Sequence, residues 1–564
     1  MRGRRFWVAV AILAALAGIT KLATADDNPC SPPKKAVVAE PALSAKALSA
    51  RIDAHINERL KAEHVRPAPL ADDAEFMRRV YLDLGGKIPL LSEVHDFLDP
   101  TNHTPNKRDV LITDLLERPS YVNHFTNVWR ALLLPQSNNQ QIPVAQAEFE
   151  AWLHERLQLN TGYDQMVREI LTVPVSGGMQ MRRRSMAEPT PPKPVAFFQA
   201  NELKPENLAA STSRVFLGVK LECAQCHNHP HAEWTRNQFW EFAAFFSGAG
   251  GSAGYGERPS LKIPGSEKIA PARFLDGKEP RWSPETQPRA VLADWITTGN
   301  NRYFARAAVN RLWAHLFGVG LVDPVDDLND QNPPSHPELL DELAYQFAAN
   351  KYDIKYLIRA IVGSQAYQRT SAQTDPSQKD PRLFARMSVR GLSPEQLFDS
   401  LVQATGMTAD SGTPNPRQDA AINSIRAQFL ARFGNQEKRT EYHTSILQAL
   451  ALMNGKLVEN ETSFQNLQRA EEAETRRDPV AAEDFFRRIQ SHTLAGIAFF
   501  TYKRGNIDRV QKLFFATLSR TPTAEESERM VRYVDSGGPR HDQKAALADV
   551  FWALLNSSEF FLNH

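Results

Sequence analysis

Along most of the chain, apolar residues return every three or four positions, the spacing of helices that bury one face. Asp72 or Asp73 opens such a stretch, which runs through Glu75-Phe76-Met77-Arg78-Arg79-Val80-Tyr81-Leu82 and stops at Gly85-Gly86. An acidic N-cap and a glycine end therefore frame one helix. The same period predicts helices near 107–117, 121–134, 144–159, 163–172 and 205–222, and Trp234 to Phe246 resumes it. Residues 174–194 break the pattern with Gly177-Gly178, Arg182-Arg183-Arg184 and several prolines, which reads as a solvated loop. Residues 248–288 turn to glycine, proline and short β-like runs such as Ser260-Leu261-Lys262-Ile263-Pro264. That is the strongest domain boundary in the chain. Beyond it, Ser335-His336-Pro337-Glu338, Ser393-Pro394-Glu395-Gln396 and Thr523-Ala524-Glu525-Glu526 each pair a cap with Glu or Gln three residues on. The expectation is a mainly α fold of two helical domains, 47–247 and 287–564, joined by a Gly/Pro-rich, partly β segment at 248–286.

The first residues follow another rule. Arg2, Arg4 and Arg5 precede an apolar run from Phe6 to Ile19, and Ala23-Thr24-Ala25 offers a small-x-small cleavage site. This predicts a signal peptide over 1–25, a Pro, Lys and Ala-rich flexible leader over 26–46, and an exported protein, periplasmic or extracellular. No transmembrane span is expected after cleavage. Removing 1–25 leaves 62 basic against 65 acidic residues, so no global field recruits nucleic acid. Three cysteines in 564 residues exclude a disulfide scaffold, and with 42% apolar residues the fold rests on a hydrophobic core. Cys30 is left as a free thiol or an intermolecular partner.

The chemistry concentrates in Cys223-Ala224-Gln225-Cys226-His227-Asn228-His229-Pro230-His231. Cys-x-x-Cys-His is the attachment pattern of haem c, in which two thiols add to the haem vinyls and the histidine ligates iron. On this reading Cys223 and Cys226 are thioether anchors and His227 is the proximal ligand. His229 and His231 lie too close to His227 to reach the opposite haem face. A distal ligand would come from Met179, Met181, Met186 or His315. Two other readings stay open. Cys223 and Cys226 with His227, His229 and His231 suit zinc or another divalent metal, or the two cysteines form a disulfide that ties off the loop.

A second polar cluster spans Asp323 to His336. Asp326, Asp327 and Asp330 lie in it and offer oxygen ligands for a cation, although the spacing is not that of an EF-hand. Arg306, Asn310 and Arg311 recur at helical spacing nearby, with Trp313 and His315, and pairing of these arginines with the acidic loop is the preferred expectation. Arg369, Arg386 and Arg390 read as solvated or ion-paired helix positions. No nucleophile elbow, Walker loop, dinucleotide fingerprint or His-Glu-x-x-His is present, so nothing in the sequence argues for an enzyme.

Several blocks resemble large secreted proteins typical of planctomycete bacteria, in which a cytochrome-associated N-terminal domain is fused to a C-terminal domain of unknown function. They include Phe76-Met-Arg-Arg-Val-Tyr-Leu-Asp-Leu84, Phe216-Leu-Gly-Val-Lys-Leu221 before the cysteines, Ala307-Ala-Val-Asn-Arg-Leu-Trp-Ala-His-Leu-Phe-Gly-Val-Gly320, Asn332-Pro-Pro-Ser-His-Pro337, Gln448 to Asn454 and Trp552 to Phe561. The resemblance implies a secreted sulfatase-like protein as neighbour. The expected function is an exported cytochrome-c-like protein that binds one haem for electron transfer or redox sensing, with an unknown redox partner. The alternative is a non-redox cell-surface scaffold or polysaccharide-associated protein whose Cys/His cluster is a structural metal site.

Overall fold

The computed structural model describes residues 41–134, 142–175, 191–230, 232–249, 258–283, 285–299, 301–405, 425–430 and 505–564. The expected signal peptide, Cys30, Met179, Met181, Met186, Arg182–Arg184, His231 and the 448–454 block lie outside the described residues.

The chain is mainly helical. In the first half α1 (Ala45–Ala62), α2 (Asp73–Val80), α3 (Leu91–Leu98), α4 (Lys107–Glu117), α5 (Pro119–Leu133), α6 (Ile142–Gln158), α7 (Tyr163–Thr172), α8 (Ala196–Ala200), α9 (Pro205–Leu217) and α10 (Arg236–Ala243) follow in order. The linking segment folds as an antiparallel pair, β1 (Ser260–Lys262) with β2 (Ile269–Pro271). The second half contributes α11 (Pro288–Thr297), α12 (Phe304–Phe317), α13 (Pro337–Ala349), α14 (Ile354–Val362), α15 (Gln365–Gln368), strand β3 (Arg390–Gly391) and α16 (Pro394–Thr405). After 505 come α17 (Asn506–Leu518), α18 (Ala524–Ser536), α19 (Gln543–Leu555) and strand β4 (Leu562–Asn563), which pairs antiparallel with β3.

Local signals explain most boundaries. Asp72 accepts the Glu75 amide at 2.8 Å and starts α2. After Val80 the backbone widens into one π-helical turn, Tyr81–Gly85, closed by Gly86 at φ +72°. Thr523 and Glu526 form the expected capping box, and the Gln396 amide is accepted by the Ser393 hydroxyl at 3.2 Å. At α13 the expectation fails. The cap position is His336, without a side-chain cap bond, and the Ser335 hydroxyl lies 3.1 Å from His336 Nδ1 instead of at a first-turn amide. The helix expected over 205–222 also ends early, at Leu217.

The two helical regions share one continuous apolar core, from Leu48, Ile52 and Ile56 of α1 to Phe551 and Phe560 near the chain end. Helix α1 packs on α14, and α17 packs on α3. A polar network ties these long-range contacts. Asp83 is fully buried and accepts hydrogen bonds from both terminal nitrogens of Arg390 (3.1 and 2.8 Å), from Tyr367 Oη (2.8 Å) and from Asn563 Nδ2 (2.8 Å). Arg78 donates to the carbonyls of Thr517 and Phe560, and Arg79 to those of Tyr367, Arg369 and His564. This corrects the expectation for the later arginines. None of Arg369, Arg386 and Arg390 sits within a helix, and Arg369 and Arg390 are buried. Arg390 is an ion-paired strand residue, and Arg369 donates to Phe384 O and Asn57 Oδ1.

Candidate functional site

Helix α9 delivers the chain into the cysteine motif. It stops at Gly218, which takes φ +67°. A Cβ there would lie 2.7 Å from Leu328 Cδ1 and 3.2 Å from Ala307 Cβ, so only glycine allows the later loop to come so close. One 3₁₀ turn, Leu221–Ala224, follows. In a 3₁₀ turn, positions three apart share a face. Leu221 and Ala224 are both buried, which leaves Cys223 on the outer side of the turn, and Cys226, two residues past it, is exposed as well. Both cysteines are free and exposed, and no disulfide joins them.

The loop after the turn is held by α10. Trp240 Nε1 donates to Gln225 O at 3.1 Å, the His229 amide to Trp234 O at 2.8 Å, and the Arg236 amide to Asn228 Oδ1 at 3.0 Å. His227 is exposed, and its Nδ1 lies 2.7 Å from Asn228 O. A carbonyl oxygen only accepts, so Nδ1 carries the proton and the neutral ring keeps its lone pair on Nε2. Burial pushes the Cys223 thiol up from its ordinary range, and Glu222 and Asp327 push in the same direction. The neighbouring Glu222 carboxyl is also raised, mainly by burial. Its Oε2 is buried without a hydrogen-bond partner among the described residues.

The structure brings the two clusters found in the sequence together. The acidic loop lies against the end of α9, with the Leu328 amide donating to Gly218 O at 2.8 Å. Asn310, fully buried on α12, braces that loop through Val322 O (2.8 Å) and Val322 N (2.9 Å). Arg311 pairs with Asp326 and also donates to Arg214 O. Arg306, expected to serve the same loop, pairs with Asp341 of α13 instead. Asp327 accepts from Asn329 Nδ2 at 2.8 Å, and Asp330 is exposed. Among the described residues no three of His, Cys, Asp and Glu are grouped so as to hold a metal ion. His315 lies between His124 and Phe125, ring centroids 5.7 and 5.6 Å apart. Its ring is thereby engaged in the α5–α12 contact.

Beside the motif opens a cleft of about 580 Å³. Its walls carry Trp234 and Tyr303, their rings 6.4 Å apart and inclined at 54°, with Glu233, Gln238, Asp330 and Gln331 around them. No periodic signal in the sequence marks this site. Its nearest clue is the unburied Trp234 so soon after the cysteines.

Residues 51–250 match the model of a protein family of unknown function, DUF1549, and residues 288–534 match that of a second, DUF1553. The two matches follow one another in a single polypeptide. No curated protein and no solved structure shows significant similarity to it. The DUF1549 region supplies the Cys-x-x-Cys-His motif and Trp234, and the DUF1553 region supplies the acidic loop and Tyr303. Leu275 and Asp276, between the two matches, complete the cleft. Among the described residues, no helix is long and apolar enough to cross a membrane.

Proposed function

We propose that the chain is an exported carrier of one covalently attached haem, used for electron transfer or redox sensing. The observation that supports this reading best is the arrangement of the donor set. Two free, exposed thiols stand in and just after one short turn, and the adjoining His227 has its Nδ1 committed to a backbone carbonyl. A metal-binding histidine is normally oriented in this way, with the second ring nitrogen left for the metal. Cys223 and Cys226 would anchor the haem, and His227 would bind its iron. When bound, the group would supply one-electron redox chemistry. The protein's own part is to present the anchors on a rigid base, which Leu221, Ala224 and the Trp240 hydrogen bond provide.

The test is to express the chain in a host that attaches haem outside the cytoplasm and to stain a denaturing gel for haem. The wild type retains haem through denaturation. Cys223→Ala and Cys226→Ala each weaken that retention, whereas His227→Ala changes the absorption spectrum more than the attachment. A colourless wild type that contains zinc, and loses both metal and stability on the same substitutions, would establish the structural metal site instead.

A further inference from the structure

The lining of the cleft beside the motif includes none of Cys223, Cys226 and His227, and it names a different kind of ligand. We infer that it binds a nonionic saccharide. Its volume, about 580 Å³, falls within the range of roughly 300–1,000 Å³ usual for small-ligand sites. It lies where both family regions and the segment between them meet, and such junctions are preferred positions for ligands.

Three observations select the ligand class. The first is the pair of half-buried aromatic rings, Trp234 and Tyr303. They offer flat apolar faces against which the C–H face of a sugar ring can pack. The second is the balance of polar groups. A hydroxyl both donates and accepts, and the amide of Gln331 does the same, while Glu233 and Asp330 accept and Arg302 and the Gln238 amide nitrogen donate, the Gln238 oxygen being engaged by Thr235. A purely cationic ligand would need acceptors alone, and a sulfate or phosphate would need donors alone.

The third is charge. The lining holds the carboxylates of Glu233, Asp276 and Asp330 against the single guanidinium of Arg302. Asp276 is paired with Lys278 at 3.0 Å. Arg302 stands over the Tyr303 ring, 4.7 Å from its centroid, and donates to the Tyr303 hydroxyl at 2.5 Å. Among the described lining residues, the one cation is thus turned onto its own aromatic wall, and the remaining acids repel a polyanion. The walls are fixed rather than loose. Trp234 is held through its carbonyl by His229, and Asn329 is tied to Asp327 and to the Gln331 amide.

The experiment is isothermal titration of the full mature chain, as purified, with three sets of oligosaccharides: neutral, sulfated and amino-bearing. This reading gives binding of at least one neutral member, with sulfated counterparts at least tenfold weaker. Trp234→Ala should then reduce affinity at least tenfold. Because Trp234 also packs against the core, Gln331→Ala on the exposed rim serves as the second variant, with a loss of about threefold or more and an unchanged melting temperature. Binding by no neutral oligosaccharide, preference for the sulfated or amino-bearing set, or unchanged affinity in both variants would each overturn the inference. The readout needs no haem, so its result is separable from that of the redox proposal.

Discussion

Asp83 shows how much a single residue organises here. It sits in the first quarter of the chain, yet its carboxylate is shared by Arg390, Tyr367 and Asn563. A buried pair contributes little net stability when intact, but removal of one partner strands a charge and costs about 3–5 kcal/mol. Asp83→Asn should therefore lower the unfolding free energy by that amount in denaturant titration. Pairing Asp83→Leu with Arg390→Met should cost less than the two single changes together. His336 carries the clearest pH signal. Burial pushes it down to about 4, helped by Arg59, His55 and Arg382. Between about pH 6.5 and 4 the unfolded chain therefore takes up a proton that the folded chain refuses. Its contribution to stability is complete above 6.5 and lost as the pH falls through that window. The loss is on the order of 3 kcal/mol, and His336→Gln should flatten the corresponding slope of melting temperature against pH.

At the scale of elements, the sequence carries what is local. Caps at Asp72, Ser393 and Thr523 and the 3.6-residue period located helices to within a few residues, because those signals act between neighbours along the chain. The Ser335 signal misleads because the cap falls one residue later, on His336, whose ring engages the Ser335 hydroxyl at 3.1 Å. Arg390 and Arg369 mislead because only the folded chain brings their partners to them. The meeting of the cysteine turn with the acidic loop was equally illegible. It depends on Gly218 and Leu328, about 110 residues apart, coming into contact. The loop itself is held by protein groups, Asn310 and Arg311. Arg311→Ala should therefore lower stability by about 1–3 kcal/mol, the usual cost of losing a hydrogen-bonded charge partner. Addition of a chelator should leave the melting temperature unchanged. A chelator-induced drop, reversed by Ca²⁺ and abolished by Asp327→Asn, would instead assign the loop to a cation.

Across the whole molecule, the two family regions behave as halves of one core. The motif lies in the first, the acidic loop in the second, and the cleft draws on both. On the two proposals together, a redox group anchored at Cys223 and Cys226 and a saccharide-sized cleft that begins at Pro230 would belong to the same stretch of chain. The N-terminal pattern and the Cys-x-x-Cys-His motif raise the export and haem expectations in the sequence itself, but the cleft is visible only in three dimensions, because its walls come from segments near 234, 276, 303 and 330. The central claim is covalent haem. Its most direct test is the intact mass of protein exported from a host with haem-attachment machinery, measured under denaturing conditions. The proposal requires the mass of the mature chain plus one haem, with that increment absent from the Cys223→Ala, Cys226→Ala double variant. A mature chain of unmodified mass from the same host, in which a control cytochrome is fully loaded, would contradict it.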